Sequence, residues 1–298
     1  MKRFQQGKAP PPGYCSRQID ACQALLAAQA CPVRLGWNAA EVFAEFDGWW
    51  LTSAFTPVVD RAGRLAAMAA RLHIHGHFGQ TLPADWLFAL HYAEPETLAL
   101  LQAVRVLHLL NHRGRHPPGT RVRLDLDPRL CHARSLRIVD FTADVLERLA
   151  LPASDVDFLL FADASTLDTA RALVTRYRAL GHGLALGGFG TGAQDLLHLW
   201  QTEPDGLVLA PRIMAAAFVY PVVREAVLTL MPQLVAQGYT LGVDDIACGR
   251  QLRMARQMGA SRYAGPYEGL QQQGGSVTLL PADKQCSFYR FTPPRRQH

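Results

Sequence analysis

Lysine is almost absent from this chain. Of the 298 residues only Lys2, Lys8 and Lys284 are lysines, so the body of the chain contains none. The net charge of +5 is therefore carried almost entirely by arginine. Any chemistry in the body of the chain that depends on a primary ammonium group has no lysine to supply it.

Long apolar runs are also missing. No stretch reaches the roughly 20 apolar residues that a membrane-spanning helix needs, although 49% apolar content is enough for a substantial core. The first residues, MKRFQQGKAPPPGYC, have a basic start with no apolar stretch after it, which does not fit a secretory signal. We therefore expect a cytoplasmic protein with reduced thiols.

The six cysteines lack metal or redox spacing. No two of them form C-x-x-C, so no zinc-ribbon or thioredoxin-like motif is present. Cys15, Cys22 and Cys31 lie close together in sequence. They are interpreted as small apolar residues on a helix face, with a metal site or a redox switch as the alternative.

The arginines are scattered, with higher density at residues 113–123 and 250–262. No aromatic residues are interleaved with them, as a surface for single-stranded nucleic acid would require. This pattern favours a solvated basic face over nucleic-acid binding, and an acidic protein partner is at least as good an explanation.

The first 45 residues are predicted to be a flexible segment followed by helical structure. Residues 1–15 are rich in Pro, Gly and Gln and are expected to be disordered. Ser16 is expected to cap a helix that runs to about residue 30, with apolar residues 19, 22, 25 and 26 on one face. A second short helix is predicted over residues 39–46.

From residue 46 to 270 the pattern alternates between strands and amphipathic helices. Strands are predicted near 51–59, 64–74, 121–126, 156–161, 183–187, 206–210, 239–243 and 262–264. Helices are predicted at 84–91, 95–111, 136–149, 166–180, 193–201, 221–236 and 248–258. This alternation predicts a β/α barrel.

One connection departs from the regular barrel pattern. Only residues 60–63 join the first two strands, and parallel neighbours need a longer crossover, so this pair must be antiparallel. Residues 271–298 are predicted to be a C-terminal extension, with a hairpin of 276–280 and 286–291 and a polar tail.

Short motifs along this body resemble those of the EAL-domain cyclic-di-GMP phosphodiesterases. The motifs are FTPVVD at 55–60, PADW at 83–86, DLDP at 125–128, RALG at 178–181, FGTG at 189–192, QL at 251–252 and MG at 258–259. They are similar to the family's Y-Q-P-I-V-D, P-x-x-F, N-L-S-P, the helix end before D-D-F-G-T-G, that loop itself, Q-L and L-G. The resemblance covers about 45–270 and implies an α/β fold, a modified TIM-type (β/α)8 barrel with an antiparallel first strand.

The family hydrolyses a phosphodiester with metal-activated water, which requires clustered oxygen ligands. The resemblance places the family's ligand and lysine positions on Ala69, Asp125, Asp157, Gly187, Gly188, Val208, Asp244 and Ala247. Val208 stands at the catalytic lysine and Ala69 at the glutamate of E-A-L. Since removal of several such groups together should abolish the reaction, we expect no phosphodiesterase activity, no catalytic residue and no cofactor.

Nucleotide binding without hydrolysis is a separate question. The family's nucleotide-contact positions correspond to Thr56, His73, Gly187 and Ala264. Arg71 lies two residues before His73, so on a strand it shares the same face. Arg71 and His73 are therefore the candidates for contact with a phosphate of cyclic-di-GMP.

Three further patterns have both a functional and a structural interpretation. His73, His75 and His77 alternate and could bind a metal with Asp125 or Asp127, or they could simply end a polar strand. Residues 187–192 could cradle a phosphate or form a tight β–α turn, and the turn is favoured. The aspartates 125, 127, 157, 244 and 245 are expected at one barrel mouth, as an acidic pocket or as rim polarity.

Three functions follow from these observations. The first is a non-catalytic regulator that uses a degenerate EAL-like barrel to bind another protein in cyclic-di-GMP-related control of motility, biofilm formation or transcription, as the resemblance implies. The terminal extensions would add partner contacts, including contacts in a homodimer. The second is a non-hydrolysing receptor for cyclic-di-GMP or another nucleotide. The third is a metal-dependent enzyme of changed chemistry that uses His73, His75 and His77.

Overall fold

The computed structural model describes residues 9–76, 79–90, 93–126, 136–161, 167–191 and 195–271. Its strands are β1 (Arg34–Trp37), β2 (Val42–Phe46), β3 (Trp49–Asp60), β4 (Leu65–His75), β5 (Thr81–Leu82), β6 (Val122–Leu126), β7 (Val156–Leu160), β8 (Gly183–Phe189), β9 (Gly206–Leu209), β10 (Thr240–Val243) and β11 (Arg262–Ala264). Its helices are α1 (Ser16–Ala28), α2 (Ala84–Leu90), α3 (Glu94–Arg115), α4 (Arg137–Leu149), α5 (Leu167–Ala179), α6 (Asp195–Thr202), α7 (Pro211–Val219), α8 (Pro221–Ala236), α9 (Gly249–Gln257) and α10 (Glu268–Gln271).

Eight of the strands close into a barrel. The order β3–β11–β10–β9–β8–β7–β6–β4 returns to β3 through a β3–β4 pairing. β3 runs antiparallel to both β4 and β11, and the other pairs around the barrel are parallel. The predicted α/β barrel with an antiparallel first strand is therefore confirmed.

The turn between β3 and β4 is closed by a side chain. The Asp60 carboxylate accepts hydrogen bonds from the backbone N–H groups of Ala62 and Arg64, at 2.8 and 2.9 Å. These bonds lower the pKa of Asp60, the bond from the Arg64 N–H having the largest effect. Gly63 adopts a positive φ of 77° in the same turn. The short connection therefore fixes the antiparallel register that the sequence requires.

The helix predicted over 39–46 is wrong, because β2 occupies residues 42–46. β2 pairs antiparallel with β1 and β3 and extends the sheet beyond the barrel. The residues between β2 and β3, Asp47 and Gly48, have φ of 46° and 76°. A two-residue loop with both φ positive is the preferred hairpin turn, and Asp-Gly is one of its usual sequences. This turn favours a strand over a helix, and four of the five residues of β2 are buried, with Glu45 exposed.

Helix α1 is present as predicted, with its apolar face in the core. Ile19, Cys22, Leu25 and Leu26 are all buried, and the helix contacts α3 and α4. The predicted cap at Ser16 is wrong, since Cys15 is the N-cap and makes no side-chain capping bond.

Two of the three N-terminal cysteines belong to this core. Burial raises the pKa of Cys22 to about 12 and that of Cys31 to about 11. Both thiols therefore stay protonated, and only Cys15 of the three is exposed. Cys131 and the predicted hairpin of 276–280 and 286–291 lie outside the described residues.

The barrel wall is apolar on its outer side and built from small residues within. Outward residues such as Leu124, Phe158 and Leu207 pack against the helices. Alternate residues face the interior, where Val58, Ala67, Ala69 and Ala264 form a separate small cluster. Barrels usually fill this space with bulky branched side chains. The small interior residues leave room for longer polar side chains, and arginines occupy part of it.

Candidate functional site at the barrel mouth

The mouth lies at the carboxyl ends of the parallel strands, where β6 and β10 each supply an aspartate. Asp125 is the fourth residue of β6, and Asp244 follows the last residue of β10. Arg71 from β4 lies between them, with one guanidinium nitrogen 3.2 Å from Asp125 Oδ2 and the other 3.7 Å from Asp244 Oδ2. The structure therefore brings together three of the predicted site residues.

Arg123 is a second cation beneath this group. It precedes Asp125 by two residues on β6, so both side chains face the interior. Arg123 Nη2 donates to Asp244 Oδ2 at 2.5 Å, and both residues are buried, with 7% and 6% exposure. Ala69 on the neighbouring strand is its partner in the sheet register. Because Ala69 has only a methyl group, it leaves space for the arginine.

Two groups at the mouth, Arg71 and Asp245, have shifted pKa values. Burial would lower the pKa of Arg71, but Asp125, Asp244 and Asp245 outweigh it and raise that pKa. Desolvation raises the pKa of Asp245 against the opposing charge of Arg71, and the neighbouring Asp244 adds to the rise. The mouth is therefore an ion-pair network whose carboxylates already face protein cations.

Four other family-site positions, Val208, Ala247, Gly187 and Gly188, offer no side-chain oxygen ligand. Val208 is buried in the barrel, and the exposed Ala247 donates its backbone N–H to Gln251. At Gly187 an added Cβ would lie 2.8 Å from the Phe161 ring and 2.9 Å from Leu159 Cγ, so this position has no room for a carboxylate. Gly188 has a φ of 69°, which favours glycine.

These residues do not fit the pair of divalent cations that phosphodiester hydrolysis by metal-activated water uses. Such ions need several oxygen ligands that are free to coordinate. Asp125 and Asp244 are in ion pairs with Arg71 and Arg123, and the described residues contain no group of three His, Cys, Asp or Glu side chains arranged to hold a metal. A buried guanidinium would also repel a cation placed beside it.

Asp157 was predicted at this mouth, and that placement is wrong. It lies near the start of β7, at the amino end of the barrel, where Arg121 binds its carboxylate through two nitrogens. The resemblance places the family's glutamate near Asp157, and a shift of a residue or two along a parallel strand moves a side chain towards the opposite end of the barrel. Asp127 lies outside the described residues.

The histidine motif is only partly described. The rings of His73 and His75 have centroids 6.5 Å apart and meet edge to face. His75 is buried, and its Nε2 lies 3.4 Å from the Thr52 hydroxyl. His77 lies outside the described residues. The proposed three-histidine metal site therefore stays a prediction.

The glycine-rich segment is a tight strand end. Gly187 and Gly188 belong to β8, and Gly190 follows with a φ of 96°. Thr191 Oγ1 donates to the Gly188 carbonyl at 2.8 Å, which closes the turn. This geometry agrees with the favoured β–α turn in the described part of the segment, 187–191.

The sequence interpretation missed Arg123. Residues 113–123 were interpreted as part of a solvated basic face, which is wrong for this buried arginine. The available signal was the spacing of Arg121, Arg123 and Asp125, which places all three side chains on one face of a strand. In an otherwise apolar barrel that alternation predicts a polar interior.

Comparison with known proteins agrees with this architecture. The EAL domain family model matches residues 41–269, which is most of the chain. The chain therefore belongs to the EAL domain family. No curated protein matches the chain.

Solved structures of similar fold include three EAL proteins bound to cyclic-di-GMP. The PaMucR phosphodiesterase has a TM-score of 0.63 at 16% identity, over 72% of this chain and 89% of its own. The FimX EAL domain from Pseudomonas aeruginosa has 0.62 at 15%, over 83% and 93%. A standalone versatile EAL protein from Vibrio cholerae O395 has 0.60 at 14%, over 74% and 91%. At these identities the likeness shows the fold alone.

None of the described helices combines the length and the apolar character that crossing a bilayer would require.

Proposed function

We propose that this chain is a non-catalytic regulatory protein that uses its EAL barrel to bind another protein in cyclic-di-GMP-related signalling, such as control of motility, biofilm formation or transcription. One observation carries the proposal. The two aspartates that remain at family-site positions of the mouth are held by Arg71 and Arg123. Because these carboxylates are already paired with arginines, they are not free to coordinate metal ions.

Hydrolysis is the first test of this proposal. Purified chain would be incubated with cyclic-di-GMP and Mg²⁺ or Mn²⁺, with the PaMucR phosphodiesterase as positive control in the same assay. We expect no linear dinucleotide above the background without protein, because the oxygen ligands and the lysine are missing. Metal-dependent formation of linear product, lost on heat denaturation of the chain, would contradict the proposal.

A surface suited to a protein partner lies at the junction of α7 and α8. Val219, Tyr220 and Val222 expose 68%, 57% and 77% of their surface. Adjacent exposed apolar side chains of this kind often mark interaction sites. Substitution of these three residues by serine should weaken binding of a specific protein partner. Substitution of Trp86, which is exposed on α2, by serine is the control and should leave that binding unchanged. Light scattering would show whether the partner is a second copy of the chain.

A non-hydrolysing receptor is the second candidate, and Arg71 is the observation that favours it. Its side chain is 42% exposed at the mouth, so part of the guanidinium faces solvent. Calorimetry with cyclic-di-GMP, with and without Mg²⁺, separates the two candidates. Saturable binding that is lost in Arg71→Ala and retained in Arg250→Ala would favour the receptor. Absence of binding would favour the protein adaptor.

A further inference from the structure

A cavity opens at the end of the barrel opposite the mouth. Its volume is about 390 Å³, and the first residues of β7 to β11 form its rim. We call it the amino-end cavity, defined by Arg121, Arg123, Asp157, Asp205 and Arg262 together with small interior residues. Of the family-site positions, Asp157 and Val208 line this cavity, and Arg123 of the mouth network lines it as well.

Small side chains keep this cavity open. Ala67 and Ala185 line it where a barrel would usually place branched side chains. Gly183 and Gly206 stand at its rim, where an added Cβ would collide with the Asp157 carboxylate and the Thr240 hydroxyl. The volume lies at the lower end of the range that small-molecule sites occupy, so it suits a molecule smaller than a cyclic dinucleotide.

The carboxylates of the cavity are already engaged by protein groups. Asp157 is held by Arg121, with Arg121 Nε 3.0 Å from Asp157 Oδ2. Asp205 accepts the backbone N–H of Leu184 at 2.7 Å and lies 3.8 Å from Arg178. Neither aspartate therefore neutralises Arg262, and Arg123 is paired with Asp244 of the mouth rather than with either of them.

Two donors of the cavity are left over. The side chain of Arg262 is exposed at the rim and makes one hydrogen bond within the described part of the chain, to the carbonyl of its neighbour Ser261 at 3.2 Å. Arg123 is only 7% exposed, and its buried Nε has no hydrogen-bond partner among the described residues. A buried donor without a partner costs free energy, and an oxygen atom of a ligand in the cavity would satisfy it.

We propose that the amino-end cavity binds a small oxyanion, a molecule with one phosphate group or a few carboxylates. Arg262 at the rim and the Nε of Arg123 at the inner end are its donors, because charge-assisted hydrogen bonds to oxyanions are among the strongest that arginine makes. The site opens at the end of the barrel opposite the mouth, shares Arg123 with the mouth network and requires no metal. It would give the regulator an input from a small metabolite.

Calorimetric titration of the full chain tests this site, with inorganic phosphate, ribose 5-phosphate and citrate as probes. At least one probe should bind saturably with a dissociation constant in the millimolar range or tighter. Arg262→Gln should weaken that binding about tenfold or more, because it removes a charged donor. Ala185→Leu should abolish it by filling the cavity, and circular dichroism would confirm that each variant folds.

Arg250→Gln is the matched control, since Arg250 is an exposed arginine at the start of α9, near the opposite end of the barrel. It should leave binding unchanged. Absence of saturable binding for all three probes would overturn the proposal. Equal weakening by Arg250→Gln and Arg262→Gln, or loss only in Arg71→Ala, would also overturn it, because the anion would then bind elsewhere.

Discussion

At the residue scale, Asp244 is the carboxylate on which two arginines depend. Its Oδ2 accepts from Arg123 at 2.5 Å and lies 3.7 Å from Arg71. An ion pair in the interior gains little over apolar packing, but removal of one partner leaves a buried charge uncompensated. The network therefore constrains Asp244 far more than its exposed neighbour Asp245.

Substitution of these two aspartates by asparagine should separate their roles. Asp244→Asn is expected to lower the free energy of unfolding by about 3 kcal/mol, because Arg123 loses its counter-charge in the interior. Asp245→Asn keeps a residue that tolerates the φ of 57° and should change stability by less than about 0.5 kcal/mol. Urea unfolding at neutral pH measures both. Equal effects would contradict the assignment of Asp244 as the essential partner.

At the scale of elements, Asn111 of α3 joins the N-terminal segment to the barrel. Its Oδ1 accepts from the Tyr14 hydroxyl at 2.8 Å and from the Val42 N–H at 3.0 Å. Its Nδ2 donates to the Val42 carbonyl at 2.8 Å and to the Ser53 hydroxyl at 3.2 Å. All four hydrogen-bonding positions of one fully buried amide are thus used, across three elements.

Truncation of Asn111 should cost much more than truncation of its outermost partner. Asn111→Ala leaves the N–H and carbonyl of Val42 buried without this partner, and we expect a loss of about 3 kcal/mol or more in the free energy of unfolding. Tyr14→Phe removes a single hydrogen bond and should cost about 1 kcal/mol. Thermal and urea unfolding of both variants provide the measurement. A similar small loss in both would show that the amide is not the central contact.

Much of the fold could be predicted from the sequence because periodicity records burial. The eight barrel strands and the helices around them follow alternating and 3.6-residue patterns, and the four-residue turn at 60–63 required an antiparallel pair. β1 and β2 were not predicted because they are short and the sequence signal for them lies in the Asp47-Gly48 turn. Helix α7 escaped because it follows β9 after a single residue and has exposed apolar residues at its end.

For the site, the sequence predicted only which family ligand positions lack a ligand atom. A sequence shows that Ala69, Gly187 and Val208 lack ligand atoms, but it does not show which side chains take the vacated space. Arg123 reaches Asp244 across 121 residues of sequence, and only closure of the barrel brings them together. Asp157 was misplaced for a different reason, since it is the second residue of β7 and therefore lies at the amino end of that strand.

At the scale of the whole molecule, buried histidines make stability depend on pH. Burial lowers the pKa of His108 to about 3 and that of His116 to about 4, and it also lowers the pKa of His112 and His182. His108 is in contact with the Ser53 hydroxyl at 2.8 Å and lies near Arg105, which adds to its shift. These side chains remain neutral in the folded chain where the unfolded chain would protonate them.

Stability should therefore fall as the solution is acidified below the ordinary histidine pKa of 6.5. The contribution of neutral His108 to the free energy of unfolding is complete above that pH. It is lost as the pH falls towards 3, where the free energy of unfolding decreases by about 1.4 kcal/mol per pH unit. In His108→Gln the dependence of the free energy of unfolding on pH should be shallower by that amount between about pH 5.5 and 4. Urea unfolding across this range measures it, and parallel curves for the two proteins would contradict the burial argument.

The long first strand has a consequence for synthesis. β3 pairs with β4 on one side and with β11 on the other. The residues that pair β3 with β11, 58–60 and 262–264, come from the two ends of the barrel sequence. A chain still on the ribosome therefore presents an unpaired strand edge until residues 262–264 have emerged. Nascent or prematurely terminated copies would be exposed to chaperones and to mispairing with one another.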